Sequence, residues 1–270
     1  MALAEARGVR CADLFSAFAS RGETLYFAHD SHWNSRGAAL AADVILGKFG
    51  RESNLFGGDF SQSERHDGDL FEMLYPAFRD SEENPVYGGT LDFSCEGNVR
   101  PDSITINAAG GGSGSLLAFR DSFGNLLYPY LAADFASSRF SRATAYDLTL
   151  IDGLGADCVL IELVERNLDY LVRNIPVMPA PEREAPLTDG EGADARLTLD
   201  GGVSDGLGLI GGTLGLEPDV DSPVYIISGG RCREAFLLEE NGFAAYIPEG
   251  EDIEAVILRS GGKWLRCTVK

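Results

Sequence analysis

Basic residues and histidine are scarce in this 270-residue chain: 22 Lys and Arg stand against 42 Asp and Glu, and there are three histidines. The formal net charge of −20 argues against binding to nucleic-acid phosphates or to anionic lipid head groups. No apolar run approaches the roughly 20 residues that a membrane-spanning helix needs. No basic start followed by an apolar stretch marks a secretory signal. The five cysteines (Cys11, Cys95, Cys158, Cys232 and Cys267) are odd in number and far apart, without zinc-site spacing. They read as buried free thiols, with a Cys232–Cys267 disulfide as the alternative in an oxidising compartment. No metal or cofactor is expected. What is present, 44% apolar and 10% aromatic residues, describes a folded soluble chain.

Apolar periodicity divides the chain in two. Short strands are predicted at Gly8–Leu14 and Thr24–Ala28, the second apolar enough to be buried on both faces. A helix follows from about Ser35, with Asn34 or Ser35 as its cap. Residues 51–113 are looser, with strands at Val86–Tyr87, Leu91–Ser94 and Ile104–Asn107. Ser115–Phe119 reads as a buried strand, Asp157–Val164 as a further strand of parallel-sheet character, and Asn125–Phe135 as a helix. Strands alternating with helices predict an α/β layer with a mostly parallel sheet. Prolines at 176, 179, 181 and 186 punctuate a linker, and seven short apolar runs beyond Ala193 predict a small β-sandwich. The expected organisation is an α/β domain over residues 1–182, a linker over 183–192 and an all-β domain over 193–270.

With three histidines, histidine chemistry has few actors. Asp30-Ser31-His32-Trp33-Asn34 leaves one predicted strand, and Arg120-Asp121-Ser122-Phe123-Gly124 leaves another. In parallel α/β sheets, loops from the carboxyl ends of strands converge on ligands. Ser122, between a buried strand and a helix, has the setting of an activated nucleophile. His32 would be its base and Asp30 the carboxylate that orients the imidazole. The plainer alternative is that Ser122 caps a helix and Asp30 closes a turn. A metal site at His29, Asp30 and His32 is disfavoured, because alternate strand residues face opposite ways. His66-Asp67-Gly68-Asp69 reads as a solvated turn at a pocket rim, and Glu162, Glu165, Arg166 and Asn167 as a capped, salt-bridged helix start.

Together these segments carry a resemblance. His29–Ala38 is similar to the Asp-x-His-Trp-(Asn/Thr)-x-x-Gly-Ala signature of the alginate O-acetyltransferase-like branch of the SGNH hydrolases, and to the related DHHW family. Phe119-Arg120-Asp121-Ser122-Phe123-Gly124 resembles that group's Arg-Asp-Ser-Phe-Gly block. Val159–Leu168 and Gly68-Asp69-Leu70 resemble two further blocks. The order Asp30, His32, Ser122 matches the branch. The resemblance covers roughly residues 1–182 and implies a three-layer SGNH-like fold. Relatives carry more chain ahead of the Asp-x-His pair, so it also implies an early strand and an export or anchor segment that residues 1–29 do not supply.

The activity implied is serine-dependent O-acetyl transfer to an extracellular polysaccharide, with Ser122, His32 and Asp30 as the triad. Arg120, Asn125, Trp33, Asn34 and Arg166 are candidates for the oxyanion or the substrate. The partners implied are an acetyl donor, a polysaccharide acceptor and other export or acetylation proteins, in the cell envelope or outside the cell. An anionic polymer would need a basic groove, for which Arg36, Arg120 and Arg166 are available. Two other readings stand beside this one. One is a carbohydrate acetylesterase with the same triad. The other is a non-catalytic surface glycan-binding protein using Tyr225, Phe243, Tyr246 or Trp264, although these aromatics suit a sandwich core better.

Overall fold

The computed structural model describes every residue except Ser61, and only the backbone of Gln62, Leu199, Asp200 and Gly201. Asn34 sets the first long element. Its Oδ1 accepts the Gly37 N–H at 3.0 Å and caps α3 (Ser35–Lys48), whose Ala38, Ala41, Ala42 and Ile45 are buried. Gly37 lies so close to the preceding segment that a Cβ there would fall 2.3 Å from the Leu25 carbonyl oxygen. Two short helices, α1 (Ala2–Ala6) and α2 (Leu14–Ala19), come first. The strand expected over Gly8–Leu14 does not form; Asp13 accepts the Ser16 N–H and starts α2 instead. Thr24–Ala28 makes one isolated bridge, Tyr26 with Trp33, burying Leu25 and Phe27 and exposing their neighbours. It is therefore buried on one side, not two, because it folds back on its own loop.

The polar segment after α3 supplies a ribbon. Strands β1 (Gln62–Asp67) and β2 (Ser81–Val86) pair antiparallel around α4 (Asp69–Leu74). Next come β3 (Phe93–Cys95), β4 (Thr105–Gly110), β5 (Ser115–Phe119), α5 (Gly124–Asp134), β6 (Ser137–Ser141), α6 (Leu150–Leu154) and β7 (Cys158–Ile161). The five-stranded sheet has the order β3-β4-β6-β5-β7. It is mixed. Parallel pairing is confined to β6–β5–β7, whereas β3–β4 and β4–β6 are antiparallel. Residues 96–104 join β3 to β4, too few for the crossover of roughly a dozen residues that parallel neighbours require. Ile106, Ala108, Leu116, Ala118 and Phe140 share one sheet face and pack with α3 and α5 into one core.

The chain divides into two units, residues 1–143 with 154–164, and residues 144–153 with 165–270. The second contains α7 (Asp169–Arg173), β8 (Gly190–Glu191), β9 (Arg196–Ser204), β10 (Leu207–Thr213), β11 (Val224–Ser228), β12 (Arg231–Leu238), β13 (Gly242–Pro248), β14 (Ile253–Ser260) and β15 (Lys263–Cys267). Its strand order is β8-β15-β14-β11-β12-β13-β10-β9. Arg231–Ala235 of β12 pairs with β11, and Phe236–Leu238 with β13, so one strand belongs to both halves of a β-sandwich. Ile210, Phe243 and Ile247 from one half meet Val224, Ile226, Val256 and Leu258 from the other in its core. The proline-rich stretch is laid along this unit, with Ala180 N–H on the Tyr246 carbonyl and Arg183 N–H on that of Cys232. Phe243 is a core residue, and the Tyr225 and Trp264 rings pack together 5.8 Å apart beside Ile227 and Ile257. All five cysteines are free thiols; Cys232 and Cys267 are buried as expected, whereas Cys11, Cys95 and Cys158 are only partly buried. Among the described residues, no helix is long and apolar enough to cross a membrane.

Candidate active site

Local geometry delivers Asp30 and His32 on a tight loop. Phe27 N–H bonds the His32 carbonyl and Asn34 N–H bonds the Leu25 carbonyl, so residues 28–32 bulge from a pinched base. Ser122 comes from the connection between β5 and α5. It is not the cap of that helix, which starts after Phe123 without a side-chain cap, and Asp121 Oδ1 accepts the Phe123 N–H at 2.8 Å in the turn ahead of it. The Ser122 hydroxyl instead lies 2.7 Å from His32 Nε2. The other ring nitrogen, Nδ1, lies 2.6 Å from Asp30 Oδ1, which also accepts the His32 N–H. Three side chains separated by up to 92 positions in the chain thus form one continuous relay. The buried Trp33 joins the two loops, donating its indole N–H to the Phe123 carbonyl, and the Phe123 ring packs against both His32 and Trp33.

Asp30 is 8% exposed. Burial pushes its carboxyl up, but hydrogen bonds from the His66 and His32 rings and from the Asp69 and His32 N–H groups outweigh that and hold it at about 2. It is therefore an anion under any condition in which His32 could act as a base. Asp69 braces the same loop: Oδ1 accepts the Ser31 N–H and Oδ2 the Ser31 hydroxyl. The approach depends on Gly68, where a Cβ would fall 2.1 Å from the His29 carbonyl oxygen. Asp30, His32 and Asp69 each offer one ligand-type atom, and these atoms lie within 4.8 Å of one another. Both nitrogens of His32 are engaged, by Asp30 and Ser122, so this cluster is organised as a hydrogen-bond network, not as a metal cradle.

The remaining residues singled out by sequence have definite places. Arg120 is buried and binds Asn125 Oδ1 through Nη1, and the Pro101 and Ser103 carbonyls through Nη2. Burial, with Arg142 nearby, lowers its pKa to about 10. Asn34 is occupied at both ends of its amide, by Gly37 N–H and the Thr24 carbonyl. Arg36 stacks over the Phe60 ring. Arg166 is exposed on a 3-10 turn, Glu165–Asn167, in the second unit. His29 lies beside Asp80, its Nδ1 3.3 Å from Asp80 Oδ2. Sequence reasoning missed His66, whose Nε2 is 2.8 Å from Asp30 Oδ2, and Glu82, whose carboxylate accepts the Ala28 and His29 N–H groups. The one available signal was the Gly68-Asp69-Leu70 block; the charged run Gln62–Asp67 has no apolar alternation to betray a strand.

Glu162 lies beneath the Ser122 loop. It is buried, accepts the Asp121 N–H at 3.1 Å, and burial together with the neighbouring Asp121 charge raises its pKa to about 8. Asp121 in turn accepts the Val164 N–H, tying this loop to the end of β7. The folded protein holds a proton on Glu162 that the unfolded chain releases near 4.5. Stability from this group is therefore complete at acid pH, declines as pH rises from about 4.5 to about 8, and then levels off. The expected result is that wild-type Tm falls across that window and that Glu162→Gln flattens the fall. The difference in unfolding free energy should approach at most about 5 kcal/mol by pH 9.

Residues 1–82 match the SGNH hydrolase-like domain of acetyltransferase AlgX. No curated protein sequence matches the chain. Among solved structures, a DHHW family protein from Eubacterium siraeum aligns at 17% identity and TM-score 0.47, covering 61% of this chain and 69% of that one. PatB1 from Bacillus cereus, solved with a sulfonyl adduct, aligns at 18% identity and TM-score 0.40, covering 54% and 62%. AlgX from Pseudomonas aeruginosa aligns at 9% identity and TM-score 0.37, covering 99% of this chain and 75% of AlgX. The N-terminal residues of this α/β and β-sandwich chain are thus similar to the SGNH hydrolase-like domain of the acetyltransferase AlgX.

Proposed function

We propose that this protein is a serine-dependent O-acetyltransferase that places acetyl groups on hydroxyls of an extracellular polysaccharide. The observation that carries the reading is the His32 ring, held 2.6 Å from Asp30 on one side and 2.7 Å from Ser122 on the other. That is the spacing a general base needs to take a hydroxyl proton while its charged form is stabilised. The match of residues 1–82 to an acetyltransferase domain supports the choice of acyl group.

In this scheme His32 Nε2 takes the Ser122 proton as Oγ attacks the carbonyl carbon of an acetyl ester. The tetrahedral oxyanion collapses, the donor alcohol leaves with the proton from His32, and acetyl-Ser122 remains. A sugar hydroxyl, giving its proton to the same ring, then attacks the acetyl carbon; the second tetrahedral oxyanion collapses and Ser122 Oγ leaves, taking that proton back from His32. The Ser122 N–H is the first oxyanion donor in this scheme. Asn125, whose Oδ1 is engaged by Arg120 at 2.6 Å, offers its amide N–H groups as a second. Each such donor is worth about 10²–10³ in rate.

The test is covalent. Incubation with an acyl-ester probe and peptide mapping should place the acyl group on Ser122. Label on another residue, with Ser122 unmodified, overturns the assignment. Acetyl appearing on an added glycan supports the transferase; acetate release at an undiminished rate with glycan present makes the protein an esterase.

A further inference from the structure

We infer that His66 is a positioning residue for acyl transfer, fixing Asp30 from behind so that the carboxylate can serve His32. The inference rests on the Ser122–His32–Asp30 reading above and extends the relay to a fourth member.

The two oxygens of Asp30 face different partners. Oδ1 serves His32, through the ring nitrogen at 2.6 Å and the backbone N–H at 2.8 Å. Oδ2 serves His66 Nε2 at 2.8 Å and the Asp69 N–H at 3.2 Å. A carboxylate with only its first partner could rotate about its terminal bond, which is soft. The second imidazole, at the shorter distance, removes that freedom together with the Asp69 N–H. Because a carboxylate only accepts, His66 must carry its proton on Nε2. Its ring is itself fixed, stacked on the buried Phe27 with centroids 3.9 Å apart and planes within 10°.

The ribbon that carries His66 grips the same loop a second time. His66 on β1 lies opposite Glu82 on β2, and the Glu82 carboxylate takes the Ala28 and His29 N–H groups at 2.7 and 2.8 Å. Asp69 adds the bonds to Ser31. Residues 28–31 are thus bonded on each member by one polar segment, in which the Asp69 N–H and the His66 side chain both reach the carboxylate. A residue that acts through Asp30 should influence the rate of acylation and leave ester binding alone.

The experiment follows acylation of Ser122 by p-nitrophenyl acetate, separating the limiting rate from the half-saturating concentration, in wild type and in His66→Leu, His66→Gln and His66→Asn. Gln carries an N–H donor near the reach of Nε2, whereas the Asn amide is a carbon shorter. The expected result for His66→Leu is a limiting rate lower by about 10- to 100-fold, the value of a hydrogen bond to a buried charge, with half-saturation changed by less than about twofold. His66→Gln should recover most of the rate and His66→Asn should not. If the leucine variant does not fold, the Gln-to-Asn difference alone decides. Equal rates in Gln and Asn variants, or a leucine variant as fast as wild type, overturn the inference while Ser122 labelling still stands. Failure of wild type to acylate Ser122 overturns the parent reading, and this inference with it.

Discussion

Ser122→Ala should lower acyl transfer by about 10⁴- to 10⁶-fold while leaving the fold in place. The large effect follows from the chemistry: without Oγ there is no atom to carry the acyl group, and His32 Nε2 loses the proton it is placed to accept at 2.7 Å. The small structural effect follows from the helix start. No side chain caps α5, and Asp121, not Ser122, accepts the Phe123 N–H in the turn ahead of it, so the variant removes no side-chain bond from the helix start. The unfolding free energy should move by no more than about 1 kcal/mol. Steady-state acetyl transfer, intact-mass detection of the acyl-enzyme and a thermal melt check the three parts. Residual transfer within tenfold of wild type would mean that the acyl group travels by another route.

Asp30→Asn should cost about 10⁴-fold in rate, and, unlike the serine change, should also destabilise. An amide has one accepting oxygen where the carboxylate has two. Asp30 accepts from His32 Nδ1 and from His66 Nε2, on opposite oxygens. Whichever way the Asn amide turns, its NH₂ confronts one of these donors. Facing His32, it forces the ring toward the tautomer with Nε2 protonated, which cannot take the Ser122 proton. Facing His66, it breaks the rear contact and buries an unmatched donor, at a cost of about 1–3 kcal/mol. The expected outcome is a lower melting temperature together with a loss of acylation greater than that of His66→Leu. Acylation above a tenth of the wild-type rate would show that Asp30 is a structural anion only.

Much of the local structure was legible in the residues. Asn34 before an Ala-rich periodic run predicts α3 and its cap, and the stretches Ser115–Phe119 and Asp157–Val164 predict strands β5 and β7, the second of them shorter in the structure. The runs beyond Ala193 predict the β-sandwich strands in the same way. These features are written in neighbours one to four positions apart, where hydrophobic period and capping act directly. Strand β6 escaped notice because Ser137-Ser138-Arg139-Phe140-Ser141 buries two serines, which only its neighbours in the sheet make acceptable. Thr24–Ala28 misled for the opposite reason, an apolar run used to anchor a loop rather than to build a sheet.

The sequence by itself determined the chemical identities and their order: an acidic, histidine-poor chain with Asp30, His32 and Ser122 on two loops that follow predicted apolar runs. Tertiary structure decided which of them touch. The Ser122 hydroxyl could have capped α5, and is instead a partner of His32, with Asp121 closing the turn ahead of the helix and Trp33 tying the two loops together. His66 looked like part of a solvated turn, and reached Asp30 because an antiparallel ribbon with no apolar pattern carried it there. The physical reason is the range of the forces involved. Backbone preference and amphipathic period act within a few residues, whereas the orientation of a buried carboxylate is set by donors that the fold brings from 36 and 39 positions away.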